Sequence, residues 1–265
     1  PRNVFFVGAG GSLICSYPAA YLLTRHGDLP VFQMQSDEFN TAPPAALGEG
    51  SLVVLASYTG TTPETVAAAA TAKQAGATVI VAAKDDSPLA NNADQNFPAK
   101  SDLFELIVAF ALLEARGLLP LNDNGVEVTA ETVWSSIEAV PDALVDAALA
   151  ADDKLAQVAE KFQQDPITYV LGSGPNYAWA YGMAMCYLQE MQWKHAAGYD
   201  AGEFFQGAFE MVDDTTAVLL WLAEDASRPV AERAARFLKT YAARAEYVDT
   251  FRMLAIGSGD ASRDV

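Results

Sequence analysis

The run Ser57-Tyr58-Thr59-Gly60-Thr61-Thr62-Pro63-Glu64-Thr65 follows the apolar segment Leu52 to Ala56 and opens a helical stretch. A strand, a hydroxyl-rich loop and a helix start are what a chain without nearby cations needs to hold a phosphate. The first N–H groups of a helix lack intrahelical partners, the aligned peptide dipoles favour an anion there, and Ser or Thr hydroxyls complete its shell. Ser57, Thr59 and Thr62 are therefore candidate phosphate contacts. An ordinary polar turn with a Ser or Thr cap has the same composition. A glycine turn, Gly8-Ala9-Gly10-Gly11-Ser12, follows the first apolar run. It is not a dinucleotide fingerprint, which needs a third glycine where Leu13 stands, and no Gly-Lys-Ser/Thr follows to make a P-loop.

Proton transfer to or from carbon needs a carboxylate base and an acid. Glu190 closes the apolar stretch Trp179 to Leu188, where a carboxylate is unfavourable unless solvated or partnered. A surface glutamate near a helix end is the plain alternative. His195 is one of only two histidines, and its ordinary pKa near ~6.5 suits proton transfer. Its plain alternative is a hydrogen bond at a helix C-terminus beside Lys194. His26 before Gly27 reads as a helix-end residue, and Met183, Met185 and Cys186 as core packing.

These residues must be positioned by a sizeable core. The chain has 265 residues, about half of them hydrophobic, which fits one to two domains. With 16 basic against 34 acidic residues the net charge is −18, which opposes nucleic acid and anionic lipid as partners, so an anionic substrate must be gripped by local dipoles and donors. Two distant cysteines, Cys15 and Cys186, suggest neither disulfide framework nor zinc site, and the cytoplasm is the expected compartment. No signal peptide or membrane-spanning run is read, and nothing calls for a metal or an organic cofactor. The chain starts almost inside a strand without an initiating Met and stops in the run Gly257 to Val265, so flanking elements are expected beyond it.

Strands are predicted near 3–8, 30–34, 51–56, 77–83, 167–172, 216–222 and 246–250, with helices near 12–25, 62–75, 102–117, 130–148, 150–164, 175–193 and 228–244. Continuous apolar strands separated by helices predict an α/β class with parallel sheets covered on both faces. An all-helical stretch over 101–164, interrupted at Gly117, Pro120, Asn122 to Gly125 and Pro141, reads as a connection between two lobes. Thr168 to Asn176 repeats the strand, glycine turn and helix start of Val4 to Ser12. The expected division is an N-terminal phosphate-binding lobe over 1–125 and a helical connection with a C-terminal lobe over 126–265. After its next strands the second lobe has Leu222 to Arg228 where the first has the Ser/Thr loop, so only the first is equipped for phosphate.

The segments Gly8 to Ser12, Ser36-Asp37-Glu38-Phe39, Ser57 to Thr65, Ser87-Pro88-Leu89-Ala90, Leu171 to Pro175 and Gly202-Glu203-Phe204-Phe205-Gln206-Gly207 fall in the order seen in SIS (sugar isomerase) proteins. Over nearly its whole length the chain resembles the fructoselysine-6-phosphate deglycase group, relatives of the isomerase domain of glucosamine-6-phosphate synthase. The resemblance implies two flavodoxin-like lobes, each a parallel sheet flanked by helices, and a homodimer with active sites near the subunit interface. It implies a phosphorylated sugar or sugar-amine substrate, contacted by Ser12, beside Gly11, and by Ser57, Thr59 and Thr62, with Glu190 as the base. Tyr58, where the synthase branch often has Gln, either stacks on substrate or fills space. Glu203 matches a family glutamate that shapes the loop or contacts substrate.

One position departs from the group's pattern. A His commonly follows Gly-Glu-Phe-Phe there and acts as the acid, whereas this chain has Gln206, which hydrogen-bonds but delivers no proton near neutral pH. The lysine of the synthase branch is also missing. Four explanations are open: His195 takes over, the substrate is open-chain and needs no ring-opening acid, the protein is a non-catalytic sugar-phosphate sensor, or Gln206 is a deliberate substitution. The leading expectation is an enzyme, a deglycase of a fructosamine 6-phosphate or an aldose-ketose isomerase.

Overall fold

The apolar runs become the strands of two parallel sheets in the computed structural model, which describes residues 1–98, 103–242 and 244–249. The chain divides into two compact units, one over Pro1–Leu119 and one from Pro120 onward. The first contains β1 (Asn3–Gly8), α1 (Gly11–Cys15), α2 (Tyr17–His26), β2 (Val31–Gln35), α3 (Ser36–Thr41), β3 (Ser51–Ser57), α4 (Pro63–Gln74), β4 (Thr78–Ala83), α5 (Pro88–Asn91), β5 (Gln95–Asn96) and α6 (Phe104–Ala115). Its strands lie in the order β2-β1-β3-β4-β5, all parallel.

The side-chain alternation of the strands assigns the faces. Phe5, Val7, Val53, Leu55, Val79 and Val81 share one core with Phe39 of α3, Ala68, Ala69 and Ala72 of α4, and Leu89 of α5. The alanine face of α4 lets it sit close to the sheet. Phe5 and Leu55, with no exposed surface, each contribute roughly 1.5–3 kcal/mol by burial.

The second unit contains β6 (Leu121–Asp123), β7 (Val126–Val128), α7 (Ala130–Phe162), β8 (Thr168–Gly172), α8 (Asn176–Gly182), a π-helical segment Met183–Met191, β9 (Ala196–Asp200), 3-10 turns Glu203–Gln206 and Ala208–Met211, β10 (Ala217–Leu222), α9 (Arg228–Tyr241) and β11 (Ala245–Asp249). Its parallel sheet runs β11-β10-β8-β9. Tyr169, Leu171, Val218, Leu220 and Leu222 pack on α9 and on Phe204. The alternate residues Val170, Ala217 and Leu219 pack on Phe162, Ala180, Ala184 and Leu188. Both units are thus α/β, with parallel sheets flanked by helices.

Several elements differ from the sequence expectation. The stretch predicted as all-helical holds the antiparallel hairpin β6–β7, whose turn residues Asn124 and Gly125 adopt φ of 50° and 81°. An Asn-Gly pair with positive φ at both positions is the two-residue hairpin turn, and it outweighs helix propensity here. Pro141 does not interrupt α7, and no break falls at 149, where Leu149-Ala150-Ala151 are good helix formers. The helix predicted over 12–25 breaks at Ser16, whose hydroxyl bonds the Leu13 carbonyl at 2.7 Å and whose successor helix carries Pro18 in its first turn. The helix predicted over 175–193 changes from α to π at Met183. Strand β9 was not predicted because Ala196-Ala197-Gly198-Tyr199-Asp200 lacks an apolar run; pairing with β8 makes it a strand. Parts of the predicted elements over 101–164, 102–117, 228–244 and 246–250, and the run from Gly257, lie outside the described residues. Among the described residues no helix is long and apolar enough to cross a membrane.

Candidate functional site

In an open parallel sheet, ligands bind beyond the C-terminal strand ends where the strand order reverses direction. In the first unit that point lies between β1 and β3, which pair directly, Val7 opposite Leu55. The glycine turn leaves β1 here and the hydroxyl loop leaves β3 here. The sheet thereby brings the two segments singled out from sequence to one edge.

At the end of β1, a side chain on Gly8 would approach the Leu13 backbone nitrogen to 3.0 Å, so glycine lets α1 turn back tightly over the strand. Gly10 takes φ of 55° and its carbonyl accepts from the N–H groups of Leu13 and Ile14, both at 3.1 Å. This bend leaves Gly11 exposed at the helix start with Ser12 half-buried behind it.

At the end of β3, the Ser57 hydroxyl is buried and lies 3.0 Å from the Thr62 hydroxyl. Thr62 is the N-cap of α4 but makes no side-chain bond to the helix backbone, and Pro63 has no N–H to offer. The Thr65 N–H bonds the Thr62 carbonyl at 3.1 Å, so among the described residues the Glu64 N–H is the one donor of the first turn of α4 left for something outside the helix. Thr59 and Thr61 pair their hydroxyls at 2.8 Å, and the Thr61 N–H reaches the Thr59 hydroxyl at 3.3 Å. Tyr58 is 70% exposed, so it does not fill space in the core.

The flank of α4 is held by residues that the sequence reading had left without a role. Ser36 and Thr65, both buried, share a hydroxyl contact of 3.1 Å. The Asn40 amide donates to the Glu64 carbonyl at 2.9 Å. The signal for them was the Ser36-Asp37-Glu38-Phe39 segment, whose helix α3 is too short to register as a periodic pattern.

The proton-transfer candidates lie in the second unit. Glu190 sits in the π-helical segment with its side chain exposed. π-Helical turns occur disproportionately at functional sites, because the inserted residue redirects the side chains around it. Burial, then the charge of Glu190, pushes the Cys186 thiol above its usual pKa, so the thiol stays neutral beside that carboxylate. His195 immediately precedes β9, its side chain exposed and its carbonyl accepting from the Thr168 N–H at 3.0 Å. The helix end near it is served by Lys194, whose ammonium donates to the Phe162 and Gln163 carbonyls at 2.9 and 2.7 Å.

Glu203 and Gln206 open and close an exposed 3-10 turn. Asp200 organises that turn by accepting from the N–H groups of Gly202 and Glu203 at 2.8 and 3.2 Å. Phe204 anchors it from below, fully buried against Phe205 and Phe237. Asp200 was missed in the sequence reading, although Asp-x-Gly is a recognisable turn signal. Among the described residues no hydrogen bond joins Glu190, His195 and Gln206 to one another.

Comparison with known proteins agrees with this architecture. The SIS domain model matches residues 1–110. The fructosamine deglycase of Bacillus subtilis is 36% identical over 255 residues, spanning 93% of this chain and 76% of that protein. The fructoselysine 6-phosphate deglycase of Escherichia coli is 26% identical, spanning 89% and 70%. A crystal structure of a Bacillus subtilis protein designated a phosphosugar isomerase superposes with a TM-score of 0.84 at 32% identity, covering 94% of this chain and 77% of the other. The chain therefore belongs to the SIS domain family, in the company of the fructosamine and fructoselysine 6-phosphate deglycases.

Proposed function

We propose that this protein is a phosphosugar-processing enzyme that cleaves a fructosamine 6-phosphate, or an aldose-ketose isomerase of the same substrate class. The observation that carries the reading is the loop before α4, which gathers the hydroxyls of Ser57, Thr59 and Thr62 beside the unpartnered Glu64 N–H at a strand-order reversal. Its relatives' names supply the substrate class. The two compact units are read as the two SIS lobes and the working form as a homodimer. The phosphate rests against Gly11, Ser12, Ser57, Thr59 and Thr62.

Glu190 is assigned the base. In the deglycase reaction it removes a proton from C1 of the ketoamine and returns it to C2, after which water hydrolyses the C1 imine to an aldose 6-phosphate and a free amine. The acid is His195, with Gln206 and Glu203 as hydrogen-bonding partners of the substrate. One observation favours a second reading, a sugar-phosphate sensor without turnover: Gln206 stands where the group's acid is expected and carries no transferable proton near neutral pH.

Turnover of fructoselysine 6-phosphate decides between them. Replacing a general base lowers kcat by ~10²–10⁴-fold, so Glu190→Gln is expected to fall in that range with KM nearly unchanged. Full activity in Glu190→Gln removes Glu190 from the mechanism. Fructose 6-phosphate binding with no turnover by the parent protein supports the sensor.

A further inference from the structure

The crest of the hydroxyl loop is held from within by the Gly60 N–H, which donates to the Ser57 carbonyl at 3.0 Å, and from outside by α5. Gly60 takes φ of 67°, and its carbonyl accepts the Leu89 N–H at 3.0 Å. Leu89 belongs to α5, whose N-cap is Ser87; the Ser87 hydroxyl accepts from Ala90 N–H at 3.3 Å and the residue is only 5% exposed. The same hydroxyl is pressed against Gly60 so closely that a side chain there would approach it to 2.1 Å. Nothing in the proposed reaction uses Ser87, Leu89 or Gly60.

From this geometry we infer that Ser87 is a positioning residue for the phosphate loop. The inference rests on the proposed function, in which that loop holds the phosphate. The physical chain has three links. Ser87 caps α5 and so orients its first turn, in which the Leu89 N–H is directed at Gly60. That bond fixes the direction of the Gly60 carbonyl. In a trans peptide the N–H on the far side points the opposite way, so the Thr61 N–H is turned away from α5 and toward the Thr59 hydroxyl, 3.3 Å off. The latch thus sets the pitch of Thr59, Thr61 and Thr62 with no contact to the ligand. The close fit at Gly60 makes it stiff, because the loop cannot move toward α5 without meeting the Ser87 side chain.

The role is one of affinity for the 6-phosphate, and the chemical step lies elsewhere. Ser87→Ala is expected to raise the Kd of fructose 6-phosphate, the KM of fructoselysine 6-phosphate and the inhibition constant of inorganic phosphate together, each about tenfold. Its kcat stays within about twofold, and thermal melting stays cooperative. Gly60→Ala is expected to exceed this, and Gly60→Ala/Ser87→Gly, which removes both close Ser87 atoms, to recover part of the loss. The latch is overturned if Ser87→Ala leaves all three constants unchanged while Ser57→Ala/Thr62→Ala abolishes phosphate competition. If Ser57→Ala/Thr62→Ala also retains full phosphate competition, the phosphate reading itself falls. A Ser87→Ala protein that yields less folded material while Kd, KM and the inhibition constant of the folded fraction are unchanged likewise overturns the latch, leaving Ser87 a stability residue.

Discussion

The two units have the same strand order over four strands, β2-β1-β3-β4 in the first and β9-β8-β10-β11 in the second, yet they finish the corresponding loops in opposite ways. After β3 the chain places hydroxyls that pair with one another, Ser57 with Thr62 and Thr59 with Thr61. After β10 it spends carboxylates. Asp225 accepts from the Ser227 hydroxyl at 2.6 Å, and Ser227 in turn lies against Ser173 at 3.2 Å. Gly174 is wedged so tightly against this pair that a side chain on it would fall 2.3 Å from the Ser227 hydroxyl and 2.9 Å from Asp225. The helix that follows begins with Arg228, already bound to Asp249 at 2.9 Å and Glu232 at 3.0 Å. Its guanidinium is held firmly charged by those acids, Asp249 foremost. One loop thus presents neutral hydroxyls at its helix start, which suits the proposed anion, while the other surrounds its helix start with paired charges. The lesson is that a shared sheet topology fixes where a site can be, and a handful of loop side chains decide whether it is one.

The comparison is broken most directly by Ser57→Ala/Thr62→Ala. Two hydrogen bonds to a charged ligand contribute about 1.5–3 kcal/mol each, so hexose 6-phosphate affinity by calorimetry should fall at least 100-fold. Retained affinity would erase the distinction between the loops. The glycine turns form the next test. A methyl on Gly172 would meet the Asn176 carbonyl oxygen at 2.4 Å, whereas one on Gly8 meets the Leu13 nitrogen at 3.0 Å. Overpacking of this kind costs ~1–3 kcal/mol, so Gly172→Ala should destabilise by about 3 kcal/mol and Gly8→Ala by about 1 in urea unfolding. Equal losses would show that the second turn is no more tightly closed than the first.

Asp225→Ala sharpens the contrast from the other side. It should lower stability by about 1 kcal/mol through the lost hydrogen bond and leave fructose 6-phosphate affinity within about twofold. A tenfold change in affinity would mean that the second loop takes part in binding after all. The smallest effect concerns Asp94, which accepts from the Val79 N–H at 2.8 Å and pairs with Lys73 at 3.0 Å. The backbone bond first, and Lys73 second, hold its carboxyl below the ordinary value. Its stabilisation is therefore complete above about pH 4 and vanishes as pH falls through the lowered value. Both partners are more than a third exposed, so after screening the effect is at most about 0.5 kcal/mol. Asp94→Asn should be less stable than the parent by at most about 0.5 kcal/mol in urea unfolding at pH 7, a difference that disappears below the lowered Asp94 value; an equal difference at low pH would remove the carboxylate from the explanation.

Strands β1, β3, β4, β8 and β10 were legible because each is a run of apolar residues buried on both faces, which leaves no other economical conformation. β9 was not, because its neighbours impose its shape: Gly198 lies in a strand where a side chain would meet the Tyr181 α-carbon at 2.6 Å. The hydroxyl loop between β3 and α4 could be read from Ser57, Thr59 and Thr62 because an apolar run followed by a Ser/Thr-rich helix start is a local signal. The latch at Ser87 could not, since it depends on a contact made twenty-seven residues away from Gly60 in sequence. Nor could the π register around Glu190 be seen from sequence, because apolar spacing alone does not separate the wide helix from the ordinary one.

Thr62 gives its hydroxyl to Ser57 rather than to the helix it begins, so under the proposed function a bound phosphosugar adds bonds that the empty loop does not make. Occupancy then feeds back on the fold: at a ligand concentration ~100 times Kd the native state gains about 2.7 kcal/mol by mass action. A protein arranged this way persists longer against proteolysis when its metabolite is plentiful and turns over faster when the supply runs out.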